Sequence, residues 1–290
     1  MSTDMRDGER WGQSGLVPEQ TIAATEHTRT LEKGEKMSDN GRERLAGRVA
    51  LVTGGSRGIG AGIAMAFAAE GARIAFTYHN REDRAREVVA EIERLGGEAL
   101  AIKADAGSEA DAKRAVEEAV GRFGAINILV NNAGAIGAEV HVADMSVEQW
   151  DFLINTDLRG VFLATHFALP HMPTEPVGKI INIGSELALK GRANFGHYCA
   201  AKGGVIGFTF ALAHEVAPGI CVNVLAPGPI ETDMILADME PEWIEKEKEI
   251  PACRLGKVSE IAAAAVLLAS SDGDFFIGQV VSPNGGAVFH

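Results

Sequence analysis

Tyr198 and Lys202 stand four residues apart in a predicted helix over 198–216, a spacing that turns both side chains the same way. Ser185 follows a predicted strand over 179–183. A free tyrosine has a pKa of ~10, too high for easy proton exchange at neutral pH. A lysine cation beside it stabilises the phenolate, and a shift of about three units represents roughly 4 kcal/mol. A tyrosine so placed can give a proton to a carbonyl oxygen or take one from a hydroxyl. A serine hydroxyl can hydrogen-bond the same oxygen. The pattern also arises without function, because Tyr-x-x-x-Lys occurs in many helices and serine after a strand is ordinary. The trio therefore needs a fold that brings it together.

The elements that must position it alternate from Arg48 onward. Val49–Val52 is a short apolar run ending in glycines, as a buried parallel strand would be. A helix to about Glu70 follows, stopped by Gly71. Further strands are predicted at 73–78, 99–103, 128–130, 179–183, 220–225 and 279–282. Helices are predicted at 81–95, 109–123, 151–167 and 198–216. Alternation of this kind predicts an α/β fold: a single Rossmann-type, doubly wound parallel sheet flanked by helices.

The first strand runs into Thr53-Gly54-Gly55-Ser56-Arg57-Gly58-Ile59-Gly60. Glycines at 54, 58 and 60 permit a tight turn and close approach to a phosphate, which the next helix would meet with its N-terminal N–H groups. The spacing is G-x-x-x-G-x-G rather than G-x-G-x-x-G. NAD sites usually place a carboxylate at the end of the second strand. Here that stretch reads Thr77-Tyr78-His79-Asn80-Arg81, with no acid before Glu82. A 2′-phosphate is thus admitted, and Arg57, helped by His79, Asn80 or Arg81, can pair with it. NADP(H) is the expected cofactor, with NAD(H) the alternative. Asp105 is placed either to accept from an adenine amino group or to cap the helix after it. In Asn131-Asn132-Ala133-Gly134, small residues would let backbone lie against the cofactor, while one asparagine bridges strands.

The stretch from Leu45 to Gly286 resembles the short-chain dehydrogenase/reductases. The resemblance rests on TGGSRGIG (53–60), NNAG (131–134), Asn155, Ser185, YCAAK (198–202) and PGPIET (227–232), in the family's order. It implies Ser185, Tyr198 and Lys202 as catalytic, with Asn155 holding a water beneath Lys202 as a proton relay; otherwise Asn155 caps backbone within its helix. It implies cofactor contacts at Gly54, Ser56, Arg57, Gly58, Ile59, Gly60, His79, Asn80, Asp105, Ala106, Asn132, Ala133, Gly134, Tyr198, Lys202, Pro227, Gly228, Ile230 and Thr232. It also implies a ketone–alcohol oxidoreductase, and a homotetramer packed through the helix over 198–216. IETDM (230–234), IPACRLGKVSEIA (250–262) and IGQVVSPNGG (277–286) look most like the 3-oxoacyl-acyl-carrier-protein reductases. Two features depart from that subgroup: 171–176 lacks fixed positive charge, and His214 stands where an arginine is frequent. A coenzyme A thioester or a free ketone is therefore an alternative substrate.

A net charge of −13 over 290 residues argues against nucleic acid and anionic membranes as partners. Three cysteines, without a C-x-x-C pair, fit a reducing cytosol better than a disulfide framework. No H-x-x-x-H pair suggests a metal. Residues 1–44 read as a disordered leader, with Met37 near the start of order, and 45–290 as the catalytic domain. Residues 233–250 read as a mobile helix closing over the substrate, or as an ordinary surface helix. Cys199 is expected to pack, and His197 to face solvent, with tuning of Tyr198 its alternative. A non-catalytic NADP-binding regulator or structural oligomer is the alternative function on the same fold.

Overall fold

The computed structural model describes residues 43–232 and 241–289. The leader, apart from its last two residues, lies outside the described residues, and so do Met234, Ile235, Leu236 and Met239 of the expected closing segment.

The chain begins β1 (Val49–Val52), α1 (Gly58–Ala69), β2 (Arg73–Tyr78), α2 (Glu82–Arg94), β3 (Ala99–Lys103), α3 (Glu109–Phe123) and β4 (Ile128–Asn131). It continues through α4 (Val147–Ile154), a π-helical turn (Asn155–Arg159), α5 (Gly160–Ala168), β5 (Gly178–Ile183), α6 (Leu187–Lys190), α7 (Gly196–Val216) and β6 (Ile220–Leu225). The last part holds β7 (Ile230–Glu231), α8 (Pro241–Glu247), β8 (Gly256–Lys257), α9 (Val258–Ala269) and β9 (Val280–Val281). Seven strands form one parallel sheet in the order β3-β2-β1-β4-β5-β6-β9, and β7 pairs with β8 apart from it.

Successive strand residues face opposite sides, and the core divides accordingly. Ala50, Val52, Ile74, Phe76 and Val130 pack with α1, α2 and α9. Val49, Leu51, Ala75, Leu129 and Ile180 pack with α3, α5 and α7. Both faces are thus covered, which is why these strands read as unbroken apolar runs. The chain works outward from β1 to β3, then crosses back to place β4 on the other side of β1. That reversal opens a crevice at the carboxyl ends of β1 and β4, where ligands bind in folds of this kind.

The expected helix over 151–167 begins earlier, because Ser146 and Gln149 form a reciprocal capping box. It then widens into one π turn before resuming as α5. Sequence periodicity carried no sign of that turn.

Candidate functional site

A cavity of about 490 Å³ runs along the carboxyl ends of the strands, from His79 and Asn80 past the glycine loop to Tyr198 and Lys202. Every expected cofactor residue lies in its wall: the glycine loop, His79, Asn80, Asp105, Ala106, Asn132 to Gly134, Pro227, Gly228, Ile230 and Thr232 all line it.

The cofactor end is built mainly from backbone. Gly54 has φ +66°, and a Cβ there would lie 2.9 Å from the Ala133 Cα. A Cβ on Gly60 would lie 2.4 Å from both Asn132 Nδ2 and Gly54 O. Asn132 Nδ2 donates to Thr53 O at 2.9 Å and Gly54 O at 3.0 Å, and its own N–H donates to Thr53 Oγ1 at 2.9 Å. These hydrogen bonds within the chain hold the loop. Asn131 is the strand-bridging asparagine: its Nδ2 donates to Asn182 Oδ1 at 2.7 Å and to Thr165 Oγ1 at 3.0 Å. Asp105 does not cap α3; Ser108 does, accepting from Asp111 N–H. Asp105 Oδ1 instead accepts from Gly107 N–H at 2.9 Å, and the residue is exposed on the cavity wall. Arg57 is exposed at the rim, at the N-terminus of α1. Arg81 is drawn to Asp83, 2.8 Å away.

The catalytic end is built from buried charge. Lys202 sits one turn along α7 from Tyr198, its ammonium 5.8 Å from the phenol ring centroid. Lys202 Nζ donates to Ile183 O at 3.1 Å, at the end of β5. Ser185 lies just beyond, accepting from Leu187 N–H at 3.1 Å and donating to Glu186 Oε2 at 3.0 Å. Burial pushes the Tyr198 phenol above its ordinary pKa; Lys202 and the Ser185 hydrogen bond pull it down, while Asp157 and Glu186 push it up. Burial pushes the Glu186 carboxyl up, against the pull of Lys190 and Ser185.

The side chain beside Lys202 is Asp157, not the expected Asn155. Asp157 is fully buried, with Oδ2 3.2 Å from Lys202 Nζ and Oδ1 accepting from Ala135 N–H at 2.9 Å. Asn155 is exposed; its Oδ1 accepts from Arg159 at 3.2 Å, and its amide lies over Gly107. Residues two apart on a helix do not share a face, so one of the pair had to point away from Lys202. A signal for this was present in the sequence. Leu153, Asp157, Val161, Thr165 and Ala168 recur at helical spacing, and all are buried; an acid within such a stripe needs a buried partner.

Three further residues were missed. Glu186 is buried directly after Ser185. Arg192 and Glu247 form a close ion pair at the open side of the cavity, with Arg192 also over the rings of Phe195 and Trp243. The pair ties α8, part of the expected closing segment, to the loop before α7. His197, expected at the surface, is buried, and neither ring nitrogen has a hydrogen-bond partner among the described residues. Cys199 is half-buried and unpaired.

A hydroxyl and a phenol at the end of a dinucleotide-sized groove, with an ammonium behind the phenol, can exchange a proton with a carbonyl or alcohol oxygen. The known proteins this chain is similar to agree with that chemistry. The sequence model described as short chain dehydrogenase matches residues 48–242. A 3-oxoacyl-acyl-carrier-protein reductase of Staphylococcus epidermidis is 39% identical over 241 residues, covering 82% of this chain and 97% of the relative. An acetoacetyl-CoA reductase of Shinella zoogloeoides is 41% identical over 247 residues, covering 83% and 99%. A short chain dehydrogenase of Burkholderia cenocepacia, solved in complex with NADP, superposes with a TM-score of 0.80 at 38% identity, covering 84% and 99%. The chain belongs to the short chain dehydrogenase family and is an oxidoreductase acting on alcohol and keto groups.

Proposed function

We propose that this protein interconverts a ketone and a secondary alcohol using NADP(H), with a 3-oxoacyl thioester as the substrate class. The observation that carries the reading is the convergence of Ser185, Tyr198 and Lys202 at one end of the groove that Gly54 to Gly60 begins. NADP(H) is supported by the end of β2, where Tyr78, His79 and Asn80 line the groove without a carboxylate and Arg57 stands exposed at its rim. When bound, the cofactor supplies or accepts the hydride. In the reductive direction the Tyr198 phenol gives its proton to the carbonyl oxygen. The Ser185 hydroxyl turns from Glu186 to hydrogen-bond that oxygen and hold it in reach. The Lys202 ammonium stabilises the phenolate left behind.

The thioester class is supported by the two curated relatives, whose names give a carrier-protein and a coenzyme A substrate. A coenzyme A thioester suits this chain better than an acidic carrier, given the net charge of −13 and the absence of Lys or Arg in 171–176. Self-association as a homotetramer is supported by exposed Phe162 and Phe210 on α5 and α7. No helix among the described residues is long and apolar enough to cross a membrane, and the unpaired cysteines suit a cytoplasmic enzyme.

The test is a panel of 3-oxoacyl thioesters and free ketones, followed by loss of NADPH absorbance, beside the same panel with NADH. Turnover of acetoacetyl-coenzyme A with preference for NADPH is expected. No turnover of any carbonyl compound overturns the reaction; a preference for NADH overturns the cofactor. Light scattering decides the assembly, and a monomer would reject the tetramer.

A further inference from the structure

Asp157 is a buried charged group at this site that the proposed reaction leaves without a task. It has no solvent exposure and lies on the π turn between α4 and α5, facing α7. Oδ1 is committed to Ala135 N–H in the loop after β4. Oδ2 meets Lys202 Nζ at 3.2 Å and takes no aligned hydrogen bond among the described residues, so charge is what joins the two. The fit is close: a Cβ on Gly134 would lie 2.7 Å from that same oxygen and 3.3 Å from Lys202 Nζ.

We propose that Asp157 is the counter-ion of Lys202 and a positioning residue for Tyr198, keeping the phenol protonated at neutral pH and so poised to give its proton to a ketone. This deepens the proposed reaction and rests on it for the direction of proton transfer. An isolated ammonium would pull the phenol strongly toward phenolate. A carboxylate against that ammonium cancels part of the pull and adds its own repulsion. The other charged groups facing these side chains are accounted for. From the loop after β5, Glu186 acts on Tyr198 in the same sense as Asp157, and Lys190 on α6 is paired to it. From α7, His197 lies near enough to Asp157 to act on it electrostatically. Burial disfavours the Asp157 carboxylate, yet Lys202 opposes that, and Asp157 in turn holds Lys202 above its ordinary pKa against its own burial.

The sign follows. A group acting as acid supports ketone reduction below its pKa and loses it above. Neutralising Asp157 leaves the charge of Lys202 uncancelled and lowers the Tyr198 pKa. In Asp157→Asn the falling alkaline limb of kcat/KM for reduction therefore moves down, by about one to two pH units. The rising limb for alcohol oxidation moves down with it. An unmoved limb, or one moved upward, overturns the proposal, since a merely structural Asp157 would change stability and amplitude but not the limb.

A second readout is independent of turnover. The chain has two tyrosines, so Tyr78→Phe leaves Tyr198 alone to report tyrosinate absorbance. In that protein the phenol is expected to remain protonated through neutral pH, and adding Asp157→Asn should lower its midpoint. A midpoint below pH 7 in Tyr78→Phe overturns the proposal even where the Asp157 variant does not fold. If no ketone is turned over while the tyrosinate midpoint still shifts, the proposed reaction fails and the Asp157–Lys202–Tyr198 coupling stands.

Discussion

The two ends of the groove solve different problems with different materials. At the cofactor end, the loop from Thr53 to Gly60 is held by Asn132 and Thr53 through neutral hydrogen bonds, and its glycines leave room for backbone to approach a ligand. At the catalytic end, Asp157, Lys202 and Glu186 are buried as charged or chargeable groups. Burying a charge costs several kcal/mol unless it is paired, so a fold keeps such a cluster where proton affinity must be tuned. The first end is a rigid cradle that any dinucleotide enzyme could use. The second is where the proposed proton transfer is placed.

That contrast breaks most sharply at Tyr198. Tyr198→Phe removes the proposed proton donor and nothing from the phosphate cradle. Turnover is expected to fall by about 10²–10⁴-fold, while NADPH titrated by fluorescence still binds. Persisting turnover would reject the assigned role. Gly60→Ala is the mirror experiment. Its Cβ collides with Asn132 Nδ2 and Gly54 O, so the cradle must deform at about 1–3 kcal/mol. The NADPH Kd should rise roughly five- to a hundredfold if that strain is relieved only in the free protein. A normal Kd would show that the loop yields freely. Arg57→Ala sharpens the cofactor end alone. Arg57 is exposed, which limits its phosphate contact to about 1–1.5 kcal/mol. NADPH KM should rise about tenfold while NADH KM hardly changes; an equal change in both would place the 2′-phosphate elsewhere.

The same contrast governs what could be read from the sequence. The cradle is local: strand, glycines and helix follow one another within 49–69, so its residues and the alternation of strands and helices around it were legible from spacing and periodicity. Tyr198 and Lys202 were legible because one helix turn joins them. Asp157 was legible as a buried acid but not as the partner of Lys202, because that contact spans 45 positions (202 − 157) and depends on the facing of the helix through a π turn. Asn155 was expected instead, on the family resemblance; helical spacing with Leu153 and Val161 favours Asp157. Glu186 escaped for another reason. An acid after a strand reads as surface, and only the folded chain shows it buried against Ser185 and Lys190.

The smallest effect tests whether α4 merely supports the catalytic end or tunes it. Ser146 and Gln149 close the N-terminus of α4 reciprocally, with Gln149 N–H donating to Ser146 Oγ at 3.2 Å and Ser146 N–H to Gln149 Oε1 at 2.9 Å. Both bonds are exposed, and neither residue touches the groove. Ser146→Ala should cost about 1 kcal/mol and lower Tm by a few degrees, as expected for a chain of this size. The pH profile should not move, because Asp157 is fixed by Ala135 and Lys202 rather than by the cap. A shifted alkaline limb in Ser146→Ala would mean that fraying at the start of α4 reaches the π turn. The charged end would then be held by the helix as a whole rather than by its own ion pair.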